Sequence, residues 1–154
     1  MNPLVVYYSF SGNTRALAED IALILDCELR ELVPERPYSF SYNTAVKEAR
    51  HEIERGYCPP QLAGGEGVGE FDPIFIGSPN WLKNMAPPVL SFLRTVDLAG
   101  KTIVPFCTHG GGGFGGMLET FTRECPGSTV VEGFAAGAEC SFDELEAWLE
   151  KLRV

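Results

Sequence analysis

The stretch LVVYYSFSGNT, residues 4–14, opens the chain with a strand and a turn, and a helical pattern follows it. The β-branched and aromatic run at residues 4–8 predicts a buried strand. Apolar residues then recur three or four positions apart, as on one face of a helix: Leu17, Ile21, Ile24 and Leu25. The turn therefore lies at a helix N-terminus, where backbone N–H groups point outward without helical partners.

The turn at residues 9–14, called the hydroxyl turn below, has the composition of an anion-binding site. Ser9, Ser11 and Thr14 offer hydroxyl donors, and Gly12 lets the backbone approach a ligand closely. The N–H groups and the dipole of the helix favour negative charge at the same place. Ser11 or Thr14 as a simple helix cap is the alternative interpretation. A single cap does not need three hydroxyls beside a Gly-Asn pair, so the pattern favours a phosphate site.

Glycine spacing excludes two common nucleotide-binding turns. Gly12 is the only glycine before Gly56, so neither G-x-G-x-x-G nor G-x-x-x-x-G-K-[ST] can be written over the hydroxyl turn. The turn is therefore not predicted to bind a dinucleotide or a nucleoside triphosphate in either of those ways.

The rest of the chain alternates between strand and helix patterns. Further strands are predicted at Cys27–Val33, Ile74–Gly77, Thr102–Cys107 and Thr129–Phe134. Further helices are predicted at Asn43–Arg55, Pro87–Thr95, Gly115–Cys125 and Phe142–Leu152, with a loop rich in glycine and proline at 56–70. Five strands alternating with helices predict an α/β fold, in which a five-stranded parallel sheet has helices on both faces. We expect one domain over residues 1–154.

Composition and charge narrow the classes of partner. The 154 residues are 45% hydrophobic and 21% charged, with a formal net charge of -9. Nucleic acid and anionic membranes are poor partners for this charge, whereas a basic protein or a neutral small molecule is favoured. Acidity that only keeps the protein in solution explains the charge equally well. The N-terminus has neither a basic segment nor a long apolar run, so we expect a cytoplasmic protein.

Cysteines and histidines show no disulfide or metal-site pattern. The five cysteines are widely spaced without a C-x-x-C motif, and His51 and His109 are the only histidines. Neither a disulfide framework nor a metal site is predicted. Cys27 and Cys107 lie in predicted strands and are interpreted as small core residues.

Unusual residues follow the third predicted strand, at the edge where open parallel sheets bind ligands. The segment SPNWL, residues 78–82, places a tryptophan in a polar loop. Stacking against a planar ligand would bury the large flat surface of Trp81. The alternative is that Trp81 folds back onto Pro87 or Phe92.

The fourth predicted strand leads into a second unusual loop, THGGGGFGG, of which residues 110–116 are called the glycine loop below. Its six glycines cannot form a core element, because glycine contributes no packing and costs backbone entropy. Its N–H groups can instead bind carbonyl and ring-nitrogen acceptors, and Thr108 and His109 lie at its start. A structural His109 held by a backbone carbonyl is an equal alternative to a ligand contact.

Together these motifs resemble the flavodoxin-like family over essentially the whole chain. The resemblance rests on SFSGNT (9–14), PNW (79–81), GKT (100–102), THGG (108–111) and CPG (125–127). It implies a doubly wound sheet in the order 2-1-3-4-5 and FMN as the cofactor. It also implies which residues bind FMN: Ser9, Ser11, Gly12, Asn13 and Thr14 at the phosphate; Ser78, Pro79, Asn80, Trp81 and Leu82 beside the flavin ring; and Thr108, His109, Gly110, Gly111, Phe114 and Gly115 on its other side.

The resemblance implies a flavodoxin-type electron-transfer protein, whose partners would be redox proteins with basic docking patches. No residue is predicted to be a catalytic acid or base, because the flavin carries the chemistry. Two features differ from the family: Trp81 has no second aromatic beside it, and the four consecutive glycines of the glycine loop include no aromatic. An open flavin face would leave room for a substrate, so an NAD(P)H-dependent FMN reductase acting on quinones or similar acceptors is the alternative. A binding module that has lost its cofactor is the third interpretation.

Overall fold

The structure is a computed structural model that describes residues 2–152, without the side chains at 62 and 63. It consists of a mainly parallel sheet between two layers of helices. Its strands are β1 (Leu4–Tyr7), β2 (Glu28–Glu31), β3 (Val33–Pro34), β4 (Gln61–Ala63), β5 (Ile74–Trp81), β6 (Asn84–Met85), β7 (Thr102–Thr108), β8 (Thr129–Val130) and β9 (Phe134–Ala136). Its α-helices are α1 (Asn13–Leu25), α2 (Tyr42–Arg55), α3 (Pro87–Thr95), α4 (Met117–Glu124) and α5 (Phe142–Leu152), and a short 3₁₀ helix covers Val68–Glu70. Among the residues described, no helix is both long enough and apolar enough to cross a membrane.

The main sheet has seven strands, so the predicted count of five is wrong. Its path runs β2-β1-β5-β7-β8, and every neighbouring pair along this path is parallel. The additional strands are β6, which pairs antiparallel with the end of β5, and β9, which pairs parallel with the end of β7. The parallel α/β arrangement agrees with the alternation of strands and helices in the sequence, whereas the strand count depends on local backbone features.

The strand predicted at Thr129–Phe134 is divided into two because of residues that face it across the sheet. β8 pairs with the start of β7 and β9 with its end, and Pro105 lies between the two paired regions. Proline has no N–H, so position 105 cannot donate a hydrogen bond to the edge strand. A Cβ at Gly133 would lie 2.4 Å from the Pro105 carbonyl oxygen, so only glycine fits where the two backbones approach.

The strand predicted at Cys27–Val33 also ends earlier than expected. Leu32 donates its N–H to the Tyr7 carbonyl at 2.6 Å, but the chain then leaves β1. β3 pairs with β4 in a separate two-stranded sheet, and β4 lies in the segment 56–70, for which the sequence predicts a loop. Pro34 has no backbone N–H to donate to a neighbouring strand. Proline is therefore tolerated in a short edge strand but would interrupt a continuation of the main sheet.

Two apolar cores lie on opposite faces of the sheet. Leu4 and Val6 pack in the core shared with α2, α3 and α4, whereas Val5 and Tyr7 pack in the core shared with α1 and α5. This division follows from the alternation of side chains along a strand. Each fully buried valine or leucine contributes about 1.5–3 kcal/mol, so the two cores hold the helices firmly on the sheet. The carboxyl ends of β1, β5, β7 and β9 then meet at one edge.

Candidate functional site

A cavity of about 530 Å³, called the edge cavity below, opens at the carboxyl ends of the strands. Its lining comes from the ends of β5, β7 and β9, from the hydroxyl turn, and from the facing sides of α1, α2 and α5. Small-molecule sites in proteins typically have volumes of roughly 300–1,000 Å³. The edge cavity is therefore large enough for a small organic ligand, and it lies where parallel sheets bind one.

The hydroxyl turn leads into α1 without a side-chain cap. Gly12 has φ 100°, in the left-handed region, and donates its N–H to Ser9 Oγ at 3.1 Å. No side chain in the described part of the chain caps the helix, so the N–H groups of its first turn are not used by such a bond. Ser11 and Asn13 line the edge cavity beside these N–H groups. The alternative interpretation, in which Ser11 or Thr14 caps the helix, is therefore wrong.

Thr14 joins the hydroxyl turn to the end of β7. Its side chain is buried, and its Oγ1 lies 2.7 Å from Thr108 Oγ1, so one hydroxyl donates to the other. Thr108 lines the edge cavity. A hydroxyl pair of this kind leaves one hydroxyl proton free for a further acceptor, because each threonine has one proton and two lone pairs.

Trp81 is buried among other aromatic rings and does not present a free face. Only 1% of the residue is exposed, although it borders the edge cavity. Four rings surround it edge-on, with centroid distances of 5.8 Å to Tyr8, 5.6 Å to Phe10, 5.4 Å to Tyr38 and 6.4 Å to Tyr42. A contact between Trp81 and a ligand remains a prediction, and the 1% exposure leaves little of its surface for such a contact.

The glycine loop is held against the hairpin of β5 and β6. Asn80 Nδ2 donates to the Gly113 carbonyl at 2.7 Å, and Gly116 donates its N–H to the Lys83 carbonyl at 2.7 Å. Gly115 has φ +57°, and a Cβ there would lie 2.4 Å from the Lys83 carbonyl oxygen. The loop therefore needs glycine at position 115 both for its backbone conformation and for space.

The side chain of His109 is held by a backbone N–H of the glycine loop rather than by a backbone carbonyl, and its contact with a ligand stays a prediction. Its backbone N–H donates to the Ala136 carbonyl at 3.1 Å, and its Nδ1 accepts the N–H of Gly111 at 3.0 Å. The imidazole also lines the edge cavity. Because Nδ1 is used as an acceptor, the other ring nitrogen, Nε2, is the one left for a ligand.

Cys107 lies behind the glycine loop, in the core. Burial raises the pKa of its thiol to about 12, and the S–H donates to the Gly113 carbonyl at 3.6 Å. A protonated, buried thiol is a poor nucleophile, which agrees with the interpretation of Cys107 as a core residue. Cys140 does line the edge cavity, and burial raises the pKa of its thiol as well.

The predicted cofactor-binding residues fall into two groups. Eight of them line the edge cavity: Ser11, Asn13, Pro79, Asn80, Trp81, Thr108, His109 and Gly110. The others are not among its lining residues: Ser9, Gly12, Thr14, Ser78, Leu82, Gly111, Phe114 and Gly115. In this second group Ser9 and Thr14 support the lining through the bonds given above, and Ser78 Oγ accepts the N–H of Ala86 at 2.9 Å.

Sequence reasoning missed one whole side of the edge cavity. The segment from Ala136 to Phe142, the α1 residues Ala16, Leu17 and Asp20, and Tyr42 of α2 all contribute to it. The loop after the fifth strand could have been considered, because every parallel strand ends at the same edge. Its small side chains give no chemical signal of their own, unlike the loops after the first, third and fourth strands.

The edge cavity has little formal charge. Among its lining residues in the described part of the chain, Asp20 is the one carboxylate, and there is no lysine or arginine. An anion bound there would be held by backbone N–H groups, by neutral side-chain donors and by the dipole of α1. Across residues 2–152, no three side chains of His, Cys, Asp or Glu lie together as a metal site would need.

Comparisons with known proteins agree with this fold. The sequence model of the flavodoxin family matches residues 2–152. A crystal structure of a protein from Bacteroides eggerthii is 27% identical, with a TM-score of 0.88 over 99% of this chain and 98% of that one. A flavoprotein from Lactobacillus acidophilus, solved in complex with FMN, is 24% identical, with a TM-score of 0.78 over 96% of this chain and 98% of that one. The comparison with curated proteins returned no match.

More distant structures share the architecture alone. An oxidised flavodoxin from Bacillus cereus is 21% identical, with a TM-score of 0.60 over 98% of this chain and 99% of that one. At this identity the likeness concerns the path of the backbone and does not identify binding residues. The assignment of individual side chains therefore depends on the geometry of the edge cavity.

Proposed function

Because the chain belongs to the flavodoxin family, we propose that it binds FMN in the edge cavity and acts as an electron-transfer protein. The observation that supports this most is the continuity of the edge cavity. It joins the uncapped N-terminus of α1, suited to a phosphate, to aromatic side chains and the glycine loop, suited to a planar ring.

The residues at the N-terminus of α1 fit a phosphate group. The first-turn N–H groups of α1 and the hydroxyl of Ser11 are donors at the cavity wall, and the pair of Thr14 and Thr108 lies beside them. The N-terminus of a helix favours a bound anion through its dipole, and no neighbouring cation is required. Gly12, with its positive φ, allows the backbone to curve around such a group.

FMN would supply the redox chemistry, since a bound flavin can accept and release one or two electrons. The chain's own contribution would be to orient the ring, exclude water and set the electrostatic field around it. The net charge of -9 opposes additional negative charge in the site and so lowers the potential at which a reduced, anionic ring forms.

An NAD(P)H-dependent FMN reductase is the second candidate. The small side chains of the glycine loop favour it, because Gly110 at the cavity wall leaves space beside the ligand. The charge of the lining weighs against it, since the described cavity residues include no lysine or arginine to hold a dinucleotide phosphate.

Two measurements test the proposed function in order. Titration of the apoprotein with FMN should show saturable binding at one site per chain, and the absence of binding would contradict the proposal. Stepwise anaerobic photoreduction of the FMN-loaded protein should then show, in its visible spectrum, build-up of flavin reduced by one electron. Passage directly to the fully reduced flavin would instead favour the second candidate function, an NAD(P)H-dependent FMN reductase.

The α5 side of the edge cavity suggests the kind of redox partner. Residues 132–150 contain six Asp or Glu and no Lys or Arg, and Phe142 at the cavity wall is 44% exposed. We propose a partner whose surface is basic around an apolar centre, because opposite charges steer the two proteins together.

Salt dependence tests this partner surface. Electron transfer from the reduced protein to a basic haem protein should slow about tenfold when the ionic strength rises from about 0.01 M to about 0.15 M. Transfer to a neutral small-molecule acceptor serves as the control and should change little. An equal response to salt with both acceptors would show that charge does not guide docking.

A further inference from the structure

The aromatic wall of the edge cavity contains a residue that no sequence motif marks. Tyr42, the first residue of α2, lines the edge cavity and is 53% exposed. Trp81 lines the same cavity but is 1% exposed. We propose that Tyr42, and not Trp81, provides the aromatic face that packs against the ring of the bound flavin. This inference rests on the proposed binding of FMN.

Burial decides between the two aromatic residues. A ring can stack on a ligand only if one of its faces is accessible, and stacking contributes through the apolar area that it removes from water. The neighbouring rings already cover Trp81, so a ligand would gain little area from it. Tyr42, which is half exposed and lies at the cavity wall, still has accessible area that a ligand can cover.

Tyr42 is also held in place before any ligand binds. Its ring meets Phe10 edge-on at a centroid distance of 6.0 Å and Trp81 at 6.4 Å. Trp81 therefore supports Tyr42 from the core side. A side chain that is already oriented loses less conformational entropy on binding, which increases the affinity obtained from the contact.

The segment that leads into Tyr42 is tied to α2 by two glutamates. Ser39 donates its N–H to Glu48 Oε1 at 2.9 Å, and the hydroxyl of Tyr38 donates to Glu52. Glu48 and Glu52 are one helical turn apart, so both bonds hold the segment to the same face of α2. The start of α2, and with it the backbone of Tyr42, is fixed relative to the cavity.

Phe10 also lines the edge cavity, but it is less exposed than Tyr42. The walls of the edge cavity on the glycine-loop and α5 sides do not offer an equivalent ring among the described residues. Its lining on the glycine-loop side is Thr108, His109 and Gly110, and Phe114 lies outside the lining. Phe142 is exposed and lines the α5 side, but it makes none of the ring contacts that orient Tyr42 in the described structure. Of the two exposed aromatic residues, Tyr42 is the one that is pre-oriented.

Binding of two flavins to variants at Tyr42, Tyr57 and Phe142 tests this assignment. FMN and riboflavin share the ring, and riboflavin lacks the phosphate, so a ring contact should affect both equally. Tyr42→Ala should weaken the binding of both ligands about tenfold, whereas Tyr42→Phe, which keeps the ring, should stay within about twofold of the wild type. Tyr57→Ala is the matched control, because Tyr57 is 45% exposed and lies outside the edge cavity.

The outcomes separate this inference from the proposed function. Equilibrium dialysis gives the affinities without relying on flavin emission, and urea unfolding shows whether each variant is folded. If the wild type binds FMN and Tyr42→Ala binds both flavins as tightly as the wild type, the assignment of Tyr42 is overturned while FMN binding stands. A larger loss in Phe142→Ala than in Tyr42→Ala would also overturn it. Failure of the wild type to bind FMN would overturn both.

Discussion

Thr14→Val is expected to weaken FMN binding about 30-fold, equivalent to about 2 kcal/mol, and to leave riboflavin binding nearly unchanged. Valine keeps the shape of threonine but removes the hydroxyl that lies 2.7 Å from Thr108 Oγ1. The Thr108 hydroxyl then loses its partner, and the N-terminus of α1 loses a polar group beside the proposed phosphate position. Hydrogen bonds to charged groups contribute about 1.5–3 kcal/mol, more than those between neutral groups.

Thr14→Ser is the matched control, because serine keeps the hydroxyl and removes only a methyl group. Its affinity for FMN should lie much closer to that of the wild type than to that of Thr14→Val. Fluorescence titrations with FMN and with riboflavin, made on all three proteins, measure the difference. Equal FMN affinities for the valine and serine variants would place the phosphate away from this hydroxyl pair.

Gly115→Ala is expected to lower the free energy of unfolding by about 3 kcal/mol. An L-residue in the left-handed region costs about 1–2 kcal/mol, and Gly115 has φ +57°. The new Cβ would also lie 2.4 Å from the Lys83 carbonyl oxygen, and a backbone atom cannot rotate away as a side chain can. Overpacking of this kind adds about 1–3 kcal/mol.

Urea unfolding followed by circular dichroism measures this loss, and the midpoint of thermal unfolding should fall by about 9 °C. Gly110→Ala is the control in the same loop, because a Cβ added at position 110 would meet no atom within 4 Å and the residue has no positive φ. Its stability should stay within about 0.5 kcal/mol of the wild type. If the two variants were equally stable, the contact between the glycine loop and the β5–β6 hairpin would not be tight in solution.

The hydroxyl turn at the edge cavity was predictable, because the sequence patterns that identify it are local. The run at residues 4–8 and the apolar stripe that begins at Leu17 identify a strand and a helix within a few residues of each other. Hydroxyl residues between such elements lie at a helix N-terminus in any α/β fold. The position of the hydroxyl turn therefore needed no knowledge of the remaining chain.

The aromatic wall was not predictable, because burial depends on residues that are distant in the sequence. Trp81 stands in a polar segment, and its neighbours in the sequence left open whether the indole stacks on a ligand or folds back onto Pro87 or Phe92. Tyr8 follows the end of β1, and Tyr38 and Tyr42 lie around the start of α2, so they meet Trp81 only in the folded structure. Which aromatic residue keeps a free face was therefore decided by packing.

The parallel α/β architecture and the turn at the start of α1 follow from local patterns, because apolar periodicity and glycine placement act within one segment. Three further features depend on the tertiary structure. Pro105 and Gly133 divide the last strand across the sheet, Thr14 meets Thr108 from 94 positions away, and Tyr42 faces the edge cavity while Trp81 is buried. Each of these depends on which distant groups share the same space, and a local pattern does not encode that.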